Sequence, residues 1–289
     1  MNASDLSKML RCPACLRSDF RMQDSKAMCG SCHKELTCDK DTFFFRTAAL
    51  DARRLVDREP NRARWSVARK AISDYLLKEL QGEDRGKAVC DLGIGTGVFT
   101  EAVQGFKAMV GVDFLPYRAV QIVADLTEPL PIRDAAFDIV ICTETMEHLP
   151  NPTLVAKEMH RILKPGGYCL GSIPFLHPVH YEPYDFYRYT RFAIEYIFKH
   201  AGFSTIHVEG IGRPADVYKV FQDRFFNAYL LNARFSNHSF ANALFRFGAR
   251  VARKASSLLF ATFRGIYARV EPAADSPLAY CFKVTKDGY

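Results

Sequence analysis

A glycine-rich turn at residues 91–97 constrains the fold of this chain more than any other feature. The segment Asp91-Leu92-Gly93-Ile94-Gly95-Thr96-Gly97 follows a short apolar run and precedes a helical pattern that starts at Val98. Glycine has no Cβ, so the backbone can turn sharply there and approach a ligand closely. Because ligands of open α/β sheets bind beyond the carboxyl ends of the strands, the turn predicts a binding site at this position.

The chain around this turn has the pattern of an α/β protein. Apolar runs, turns and helical patterns alternate over residues 87–212, which predicts parallel strands joined by helices such as Thr153–Leu163 and Arg191–His200. The expected fold class is α/β, with a Rossmann-like, doubly wound and mostly parallel sheet of seven strands. The predicted strands are Lys87–Leu92, Ala108–Val112, Gln121–Ala124, Phe137–Cys142, Tyr168–Ile173, Thr205–Glu209 and Leu278–Val284.

The glycine spacing indicates what kind of ligand binds. A dinucleotide fingerprint would place its third glycine at Val98, whereas this chain has Gly93-x-Gly95-x-Gly97. Asp91 precedes the first glycine, and a carboxylate at the strand end would repel a pyrophosphate. A ligand that carries positive charge is therefore favoured.

These motifs resemble those of one family. Asp91-x-Gly93-x-Gly95-x-Gly97 resembles the first motif of class I S-adenosylmethionine (SAM) methyltransferases. Later motifs of that family match, in the same order, Asp113, Ala124-Asp125, Phe137-Asp138-Ile139-Val140, Glu147-His148-Leu149 and Leu163-Lys164-Pro165-Gly166-Gly167. The resemblance covers about residues 87–212 and implies that SAM is the cofactor.

The resemblance also implies which residues bind the cofactor. Asp113 would accept hydrogen bonds from both ribose hydroxyls, and Asp125 would lie beside the adenine. Asp113 and Asp125 are only twelve residues apart, so the usual helix between them is nearly absent and an open adenine side is expected. The implied cofactor-binding residues are Asp91, Gly93, Gly95, Gly97, Asp113, Phe114, Asp125, Leu126 and Thr143.

Five of the nine cysteines lie between Cys12 and Cys38. Two Cys-x-x-Cys pairs, thirteen residues apart, resemble a zinc ribbon and predict structural Zn²⁺ on Cys12, Cys15, Cys29 and Cys32. His33 or Cys38 could replace one of these ligands.

The odd cysteine total argues against a disulfide framework, and the polar N-terminus does not resemble a signal peptide. Without an apolar run long enough to span a membrane, a cytoplasmic location is expected.

The loop at residues 174–190 is dense in histidine, tyrosine and proline and follows the predicted fifth strand. Methyl transfer to oxygen needs a positioned acceptor and a base that removes its proton. His177 and His180 are the candidate bases, with Asp185 as an orienting group and His148 as a further catalytic candidate. A loop that only packs over the cofactor is the alternative.

The same loop resembles a segment of a bacterial subgroup of these methyltransferases that is linked to surface-glycan and lipid-linked pathways. The resemblance implies O-methylation of a sugar or of a lipid-linked glycan precursor. After the fourth strand the chain reads Cys142-Thr143-Glu144-Thr145, not Asn/Asp-Pro-Pro-Tyr/Phe. This argues against methylation of an exposed adenine or glutamine amino group. An rRNA base methyltransferase that uses the zinc ribbon to bind RNA, and a non-catalytic adaptor, stay open.

The positive charge of the chain is concentrated near its C-terminus. The net charge is +7, and residues 213–270 hold ten Lys or Arg against two acidic residues. Large apolar residues recur there at helical spacing, which predicts a basic amphipathic insertion before the last strand. Such helices suit an anionic membrane surface, a packing or oligomer contact, or RNA, and nucleic acid is the least favoured.

These patterns divide the chain into five parts. Residues 1–46 are the predicted zinc ribbon, 47–86 a helical linker and 87–212 the SAM-binding core. Residues 213–277 form the basic helical insertion, and 278–289 hold the last core strand. The leading hypothesis is a methyltransferase that works on a small-molecule, glycan or lipid-linked acceptor at the inner face of the membrane.

Overall fold

A single hydrogen-bonded sheet organises the computed structural model, which describes residues 3–23, 26–39, 41–45, 65–230, 239–267 and 276–288. Within these residues the sheet has eleven strands, which are β1 Phe20–Gln23, β2 Lys26–Cys29, β3 Glu35–Asp39, β4 Thr42–Phe44, β5 Ala88–Leu92, β6 Ala108–Asp113, β7 Ile122–Val123, β8 Phe137–Thr143, β9 Leu163–Pro174, β10 Thr205–Ile211 and β11 Ala279–Thr285. Their order across the sheet is β1-β2-β3-β4-β7-β6-β5-β8-β9-β11-β10.

The expected count of seven strands is wrong for the sheet as a whole, although the α/β class is confirmed. Strands β1 to β4 form an antiparallel meander, and β4 then pairs in parallel with β7 through Phe43–Ile122 and Phe44–Val123. The cysteine-rich segment thus extends the sheet instead of standing apart. The other seven strands are those predicted, with β7, β6, β5, β8 and β9 parallel and β11 antiparallel between β9 and β10.

Helices cover both faces of the parallel strands, which are buried on both sides as parallel sheets require. The helix α2 (Val67–Glu79) packs Ile72 and Leu76 against one face. The helices α3 (Pro152–Ile162) and α4 (Arg191–His200) cover the other face, where Phe198 lies against Phe282 of β11. A short α1 (Ala3–Ser7) precedes the meander, and Leu6 joins the same core cluster.

Side-chain caps explain where these helices begin. The Ser66 hydroxyl accepts from the Arg69 amide, Asn151 Oδ1 from Leu154, and the Thr190 hydroxyl from Ala193. Such caps satisfy amides that have no partner within the helix.

One local expectation was wrong. The helix expected from Val98 is only a 3₁₀ turn, Thr100–Val103, because Gly105 at φ 85° ends it almost at once. The Lys164-Pro165-Gly166-Gly167 segment lies inside β9, where Gly166 donates its N–H to the carbonyls of Lys286 and Asp287.

The predicted insertion lies between β10 and β11. It contains α5 (Pro214–Arg224), a π-helical turn (Phe225–Leu230) and α6 (Ser239–Tyr267). Gln222 donates to the Ser256 hydroxyl at 2.6 Å, which holds α5 against α6. Residues 231–238 and 268–275 of the insertion, and residues 46–64 around the predicted linker, lie outside the described residues. None of the helices described here combines the length and the apolar character needed to cross a membrane.

Candidate active site

The glycine turn after β5 has the open geometry that its sequence predicts. Gly93, Gly95 and Gly97 have φ values of 76°, 54° and 77°, a region that side chains disfavour. A Cβ at Gly93 would collide with Thr145, whereas a Cβ at Gly95 would meet no atom within 4 Å. The turn therefore needs glycine for close packing at residue 93 and leaves empty space above residue 95.

Two carboxylates lie beside this turn. Asp113 ends β6, and its Oδ2 accepts the Gly95 amide at 2.8 Å while Oδ1 accepts the Leu115 amide at 3.0 Å. Asp91 is buried at the end of β5, and its Oδ1 has no hydrogen-bond partner within the described part of the chain. Burial, with the charge of Asp113, raises the pKa of Asp91 to about 7. A buried carboxylate oxygen without a donor is suited to a positive charge nearby.

A cavity of about 600 Å³, here called the Phe114 cavity, opens beside these groups. Asp125, which lies in its wall, accepts the Thr127 amide at 2.9 Å and is thereby fixed in orientation. Of the predicted cofactor-binding residues, this cavity is lined by Gly93, Asp113, Phe114, Asp125 and Leu126.

A second cavity of about 590 Å³, the Trp65 cavity, is also lined by Gly93 and by His148, so the two cavities meet at these residues. Of the predicted cofactor-binding residues, Gly95 and Thr143 also line this second cavity. All three of the predicted catalytic histidines line it as well. Its wall also holds four aromatic side chains, Trp65, Phe99, Tyr117 and Tyr181. Asp91, Gly97 and Asp185 line neither cavity.

Backbone carbonyls set the orientation of the three histidines. His148 Nδ1 lies 2.7 Å from the Tyr184 carbonyl, and the Nδ1 atoms of His177 and His180 lie 2.9 and 3.2 Å from the Pro178 carbonyl. A carbonyl only accepts, so these contacts favour the tautomer with the proton on Nδ1 and a lone pair on Nε2; the Arg188 Nη2 atom also lies 3.4 Å from His180 Nδ1. The rings lie edge to face in a row, with centroids 4.7 Å apart for His177–His180 and 4.8 Å for His148–His180.

Asp185 lies beside this row, 3.3 Å from His180 Nδ1, and is held in a fixed position. Its carboxylate receives two bonds from the Arg188 guanidinium, at 2.6 and 2.7 Å, and one from the His180 amide at 2.8 Å. The Arg188 bonds hold the pKa of Asp185 well below its usual range, so it stays ionised and suits an orienting role. Arg188 was not predicted from the sequence as a site residue, because only the folded chain places its guanidinium against Asp185.

Two acidic residues near the site, Glu147 and Glu144, were also not predicted from the sequence as site residues. Glu147 is buried, and burial raises its pKa well above the usual value. Glu144 adopts φ 49° and accepts the Ser172 hydroxyl at 2.9 Å, and burial raises its pKa to about 6. A non-glycine residue in this conformation is strained, and such strain clusters at functional sites. The available signal was their position directly after β8, at the ligand-binding edge of the sheet.

The predicted metal ligands also come together. The Sγ atoms of Cys12 and Cys32 lie 3.5 Å apart, as do those of Cys15 and Cys29, and all four lie within 4.8 Å of one another. Tetrahedral Zn²⁺ with Zn–S bonds of about 2.3 Å separates its sulfurs by about 3.8 Å, so the four thiols fit this ion. Cys38 packs in the hydrophobic core instead, and His33 is outside the group.

Comparison with known proteins gives relatives for part of the chain. A ubiquinone biosynthesis O-methyltransferase of Pseudomonas syringae pv. tomato is 35% identical over 101 residues, which cover 28% of this chain and 42% of the relative. One of the same name from Bordetella avium is 30% identical over 115 residues, which cover 33% and 46%. The matched region thus spans less than half the length of these relatives.

The solved structures include Haemonchus contortus phosphoethanolamine N-methyltransferase 2 in complex with S-adenosyl-L-methionine. It is 21% identical, with a TM-score of 0.46, over 74% of this chain and 52% of that one.

The family model for a methyltransferase domain matches residues 64–208, about half of the chain. That range includes the glycine turn, Asp113 and the row of histidines. The chain therefore belongs to the methyltransferase-domain family and is a class I SAM methyltransferase in fold.

Proposed function

We propose that this protein transfers a methyl group from SAM to a hydroxyl oxygen of an acceptor held in the Trp65 cavity. The observation that carries the proposal is the meeting of the two cavities at Gly93 and His148. One cavity has the acidic residues that suit a cationic nucleoside, and the other has three histidines with free lone pairs. The O-methyltransferase name of the relatives supports an oxygen acceptor.

The residues divide the work between the two cavities. Asp113, Asp125 and Leu126 would hold the nucleoside, and Asp91 would balance its positive charge. When bound, SAM supplies a methyl group already activated on a sulfonium. A new C–O bond forms as the C–S bond breaks, and the acceptor loses its hydroxyl proton. His177 Nε2 would accept that proton, with His148 and His180 as the other candidates.

The wall of the Trp65 cavity supports the proposed class of acceptor. Trp65, Phe99, Tyr117 and Tyr181 offer aromatic faces, which suit the apolar face of a ring that carries hydroxyl groups. The sugar ring of a lipid-linked glycan precursor is the proposed acceptor. A ring in ubiquinone biosynthesis, taken from the name of the relatives, is the second candidate.

The acceptor is testable by incubating the purified protein with methyl-labelled SAM and an extract of its own cells. Label is expected in an organic-soluble fraction and, after mild acid hydrolysis, in its sugar. Label that stays with an acid-stable lipid ring would favour the second candidate. Label in RNA, or in no fraction, would contradict the proposal. Incorporation should survive Asp74→Ala, an exposed change on α2 outside both cavities.

Cofactor binding should release a proton near neutral pH. The pKa of Asp91 is about 7 in the unliganded site, and a bound cation would favour its ionised form and lower that pKa. The affinity for SAM should therefore rise with pH up to about 7 and then level off. Calorimetry at pH 6.5 in two buffers of different ionisation enthalpy measures this release directly. Equal heats in both buffers, or the same release from Asp91→Asn, would contradict this role.

The helix α6 is proposed to lie on an anionic membrane. Its Leu244, Phe247, Val251, Leu258 and Leu259 are exposed, and Arg250 and Lys254 flank them. We expect binding to vesicles that contain phosphatidylglycerol, and a loss of at least about tenfold when Leu258 and Leu259 are both changed to glutamate. Phe192→Glu, an exposed change outside α6, is the matched control. Equal binding by neutral vesicles would contradict the proposal.

A further inference from the structure

The carboxylate of Glu147 is enclosed beside two histidines of the Trp65 cavity. Its side chain is 0% exposed, and neither oxygen has a hydrogen-bond partner among the described residues. Glu147 Oε1 lies 3.4 Å from His148 Nε2 and 3.8 Å from His180 Nε2. A buried carboxylate without a donor is strongly unfavourable, so this position is suited to a group that carries positive charge.

The atoms that face Glu147 are electron-pair donors. The carbonyls of Tyr184 and Pro178 take the Nδ1 protons of His148 and His180, which leaves lone pairs on both Nε2 atoms. One ligand atom of each of the three residues lies within 4.8 Å of the others. A proton on Glu147 would satisfy one of these atoms, whereas one metal cation would satisfy all three.

The surrounding contacts hold these ligand atoms in place. The Asp185 carboxylate accepts the His180 amide and lies 3.3 Å from His180 Nδ1, and Arg188 fixes Asp185 in turn. The Phe186 amide donates to the Glu147 carbonyl at 2.9 Å. Ligand histidines of metal sites commonly donate their second N–H to a carbonyl or a carboxylate in this way.

We propose that Glu147, His148 and His180 bind a divalent transition-metal cation through one carboxylate oxygen and two imidazole nitrogens. Two nitrogens and one oxygen suit Mn²⁺, Fe²⁺, Co²⁺ or Zn²⁺ better than Mg²⁺ or Ca²⁺. Three protein ligands leave open positions on the cation. Because His148 and His180 also line the Trp65 cavity, an acceptor held there can reach the cation with an oxygen.

A cation bound at this site would take part in the proposed methyl transfer. Only this step of the inference rests on the proposed function. A hydroxyl bound to a divalent cation loses its proton more easily, as bound water does. His177, which is not one of the three ligands, would remain available to accept the proton. The cation would thus orient the acceptor oxygen and stabilise its negative charge as the C–O bond forms.

Mn²⁺ is the probe that tests the site, because it disfavours thiolates and should leave the four-cysteine cluster alone. The full chain, holding no more than one Zn²⁺ per chain so that zinc does not compete for the new site, is titrated with Mn²⁺ while the electron paramagnetic resonance signal of free Mn²⁺ is followed. One Mn²⁺ per chain is expected, with raised water-proton relaxivity from its open positions. Glu147→Gln and His180→Ala should each weaken binding at least about 100-fold.

The exposed pair His207 and Glu209 provides a control for the loss of a histidine that lies beside a carboxylate. His207 Nε2 lies 3.9 Å from Glu209 Oε2 on the exposed surface of β10, so His207→Gln should leave Mn²⁺ binding unchanged. Thermal unfolding of each variant without Mn²⁺ separates lost binding from lost folding. Failure of Mn²⁺ and Co²⁺ to bind, or unchanged binding by both folded variants, would overturn the site. Metal binding without methyl transfer would leave the site standing and count against the proposed function.

Discussion

Asp113→Ala is expected to weaken SAM binding by at least about 100-fold and to abolish methyl transfer at ordinary SAM concentrations. The carboxylate holds the Gly95 amide at 2.8 Å, and it is the proposed acceptor for both ribose hydroxyls. Hydrogen bonds to a charged group contribute roughly 1.5–3 kcal/mol each, so the loss of two is sufficient for this effect. Calorimetry with SAM measures the dissociation constant, and labelled SAM measures the transfer.

A graded series makes this prediction specific. Asp113→Asn keeps one carbonyl oxygen for the Gly95 amide but loses the charge, so its affinity should fall between those of the wild type and Asp113→Ala. Asp74→Ala should bind SAM like the wild type. An affinity within about threefold of the wild type for Asp113→Ala would show that the cofactor does not use this strand end.

The Zn²⁺ that the sequence predicts on the four-cysteine cluster is expected to keep β1 to β4 folded, and its removal is expected to destabilise the whole protein. Strands β1 to β4 have only three to five residues each, too few to be stable alone. Structural zinc sites contribute roughly 10–16 kcal/mol in small zinc-finger peptides. Leu10 and Phe43 share a core cluster with β5 and β6, so the melting temperature should fall by about 10 °C or more.

The readouts are zinc content by elemental analysis and melting with and without a strong chelator. Cys29→Ser together with Cys32→Ser should remove one zinc per chain and lower the melting temperature. Cys38→Ala should retain that zinc, because Cys38 packs in the core. A structural metal would be refuted if the purified chain contained no zinc and neither the chelator nor the double substitution changed its melting temperature.

The parts of the fold that sequence reasoning predicted are those governed by local chemistry. The bounds of α4 are as predicted, and those of α3 differ by one residue at each end, because polar caps and apolar periodicity mark both helices. The three glycines predict the turn because few other residues adopt its φ values. Cys12, Cys15, Cys29 and Cys32 were recognisable as a set because their spacing repeats.

Contacts between distant residues explain what was missed. The β4–β7 pairing joins Phe43 to Ile122, which lie far apart in the sequence, so no local pattern predicts it. Glu147 resembled an ordinary motif residue because the loop that carries His180 packs against it only in the folded chain. Arg188 gained meaning in the same way, from its two bonds to Asp185.

The pairing of β4 with β7 has a consequence for how the protein can be divided. An edge strand of a sheet has unpaired amides and carbonyls, which can form hydrogen bonds with strands of other chains. Without β4, the strand β7, which holds the buried Ile122 and Val123, would become an exposed edge strand of the methyltransferase sheet. A cut after the cysteine-rich segment separates two regions of the sequence but divides one sheet. A shortened chain that begins at α2 would therefore be prone to aggregate, and the N-terminal strands protect the core from this.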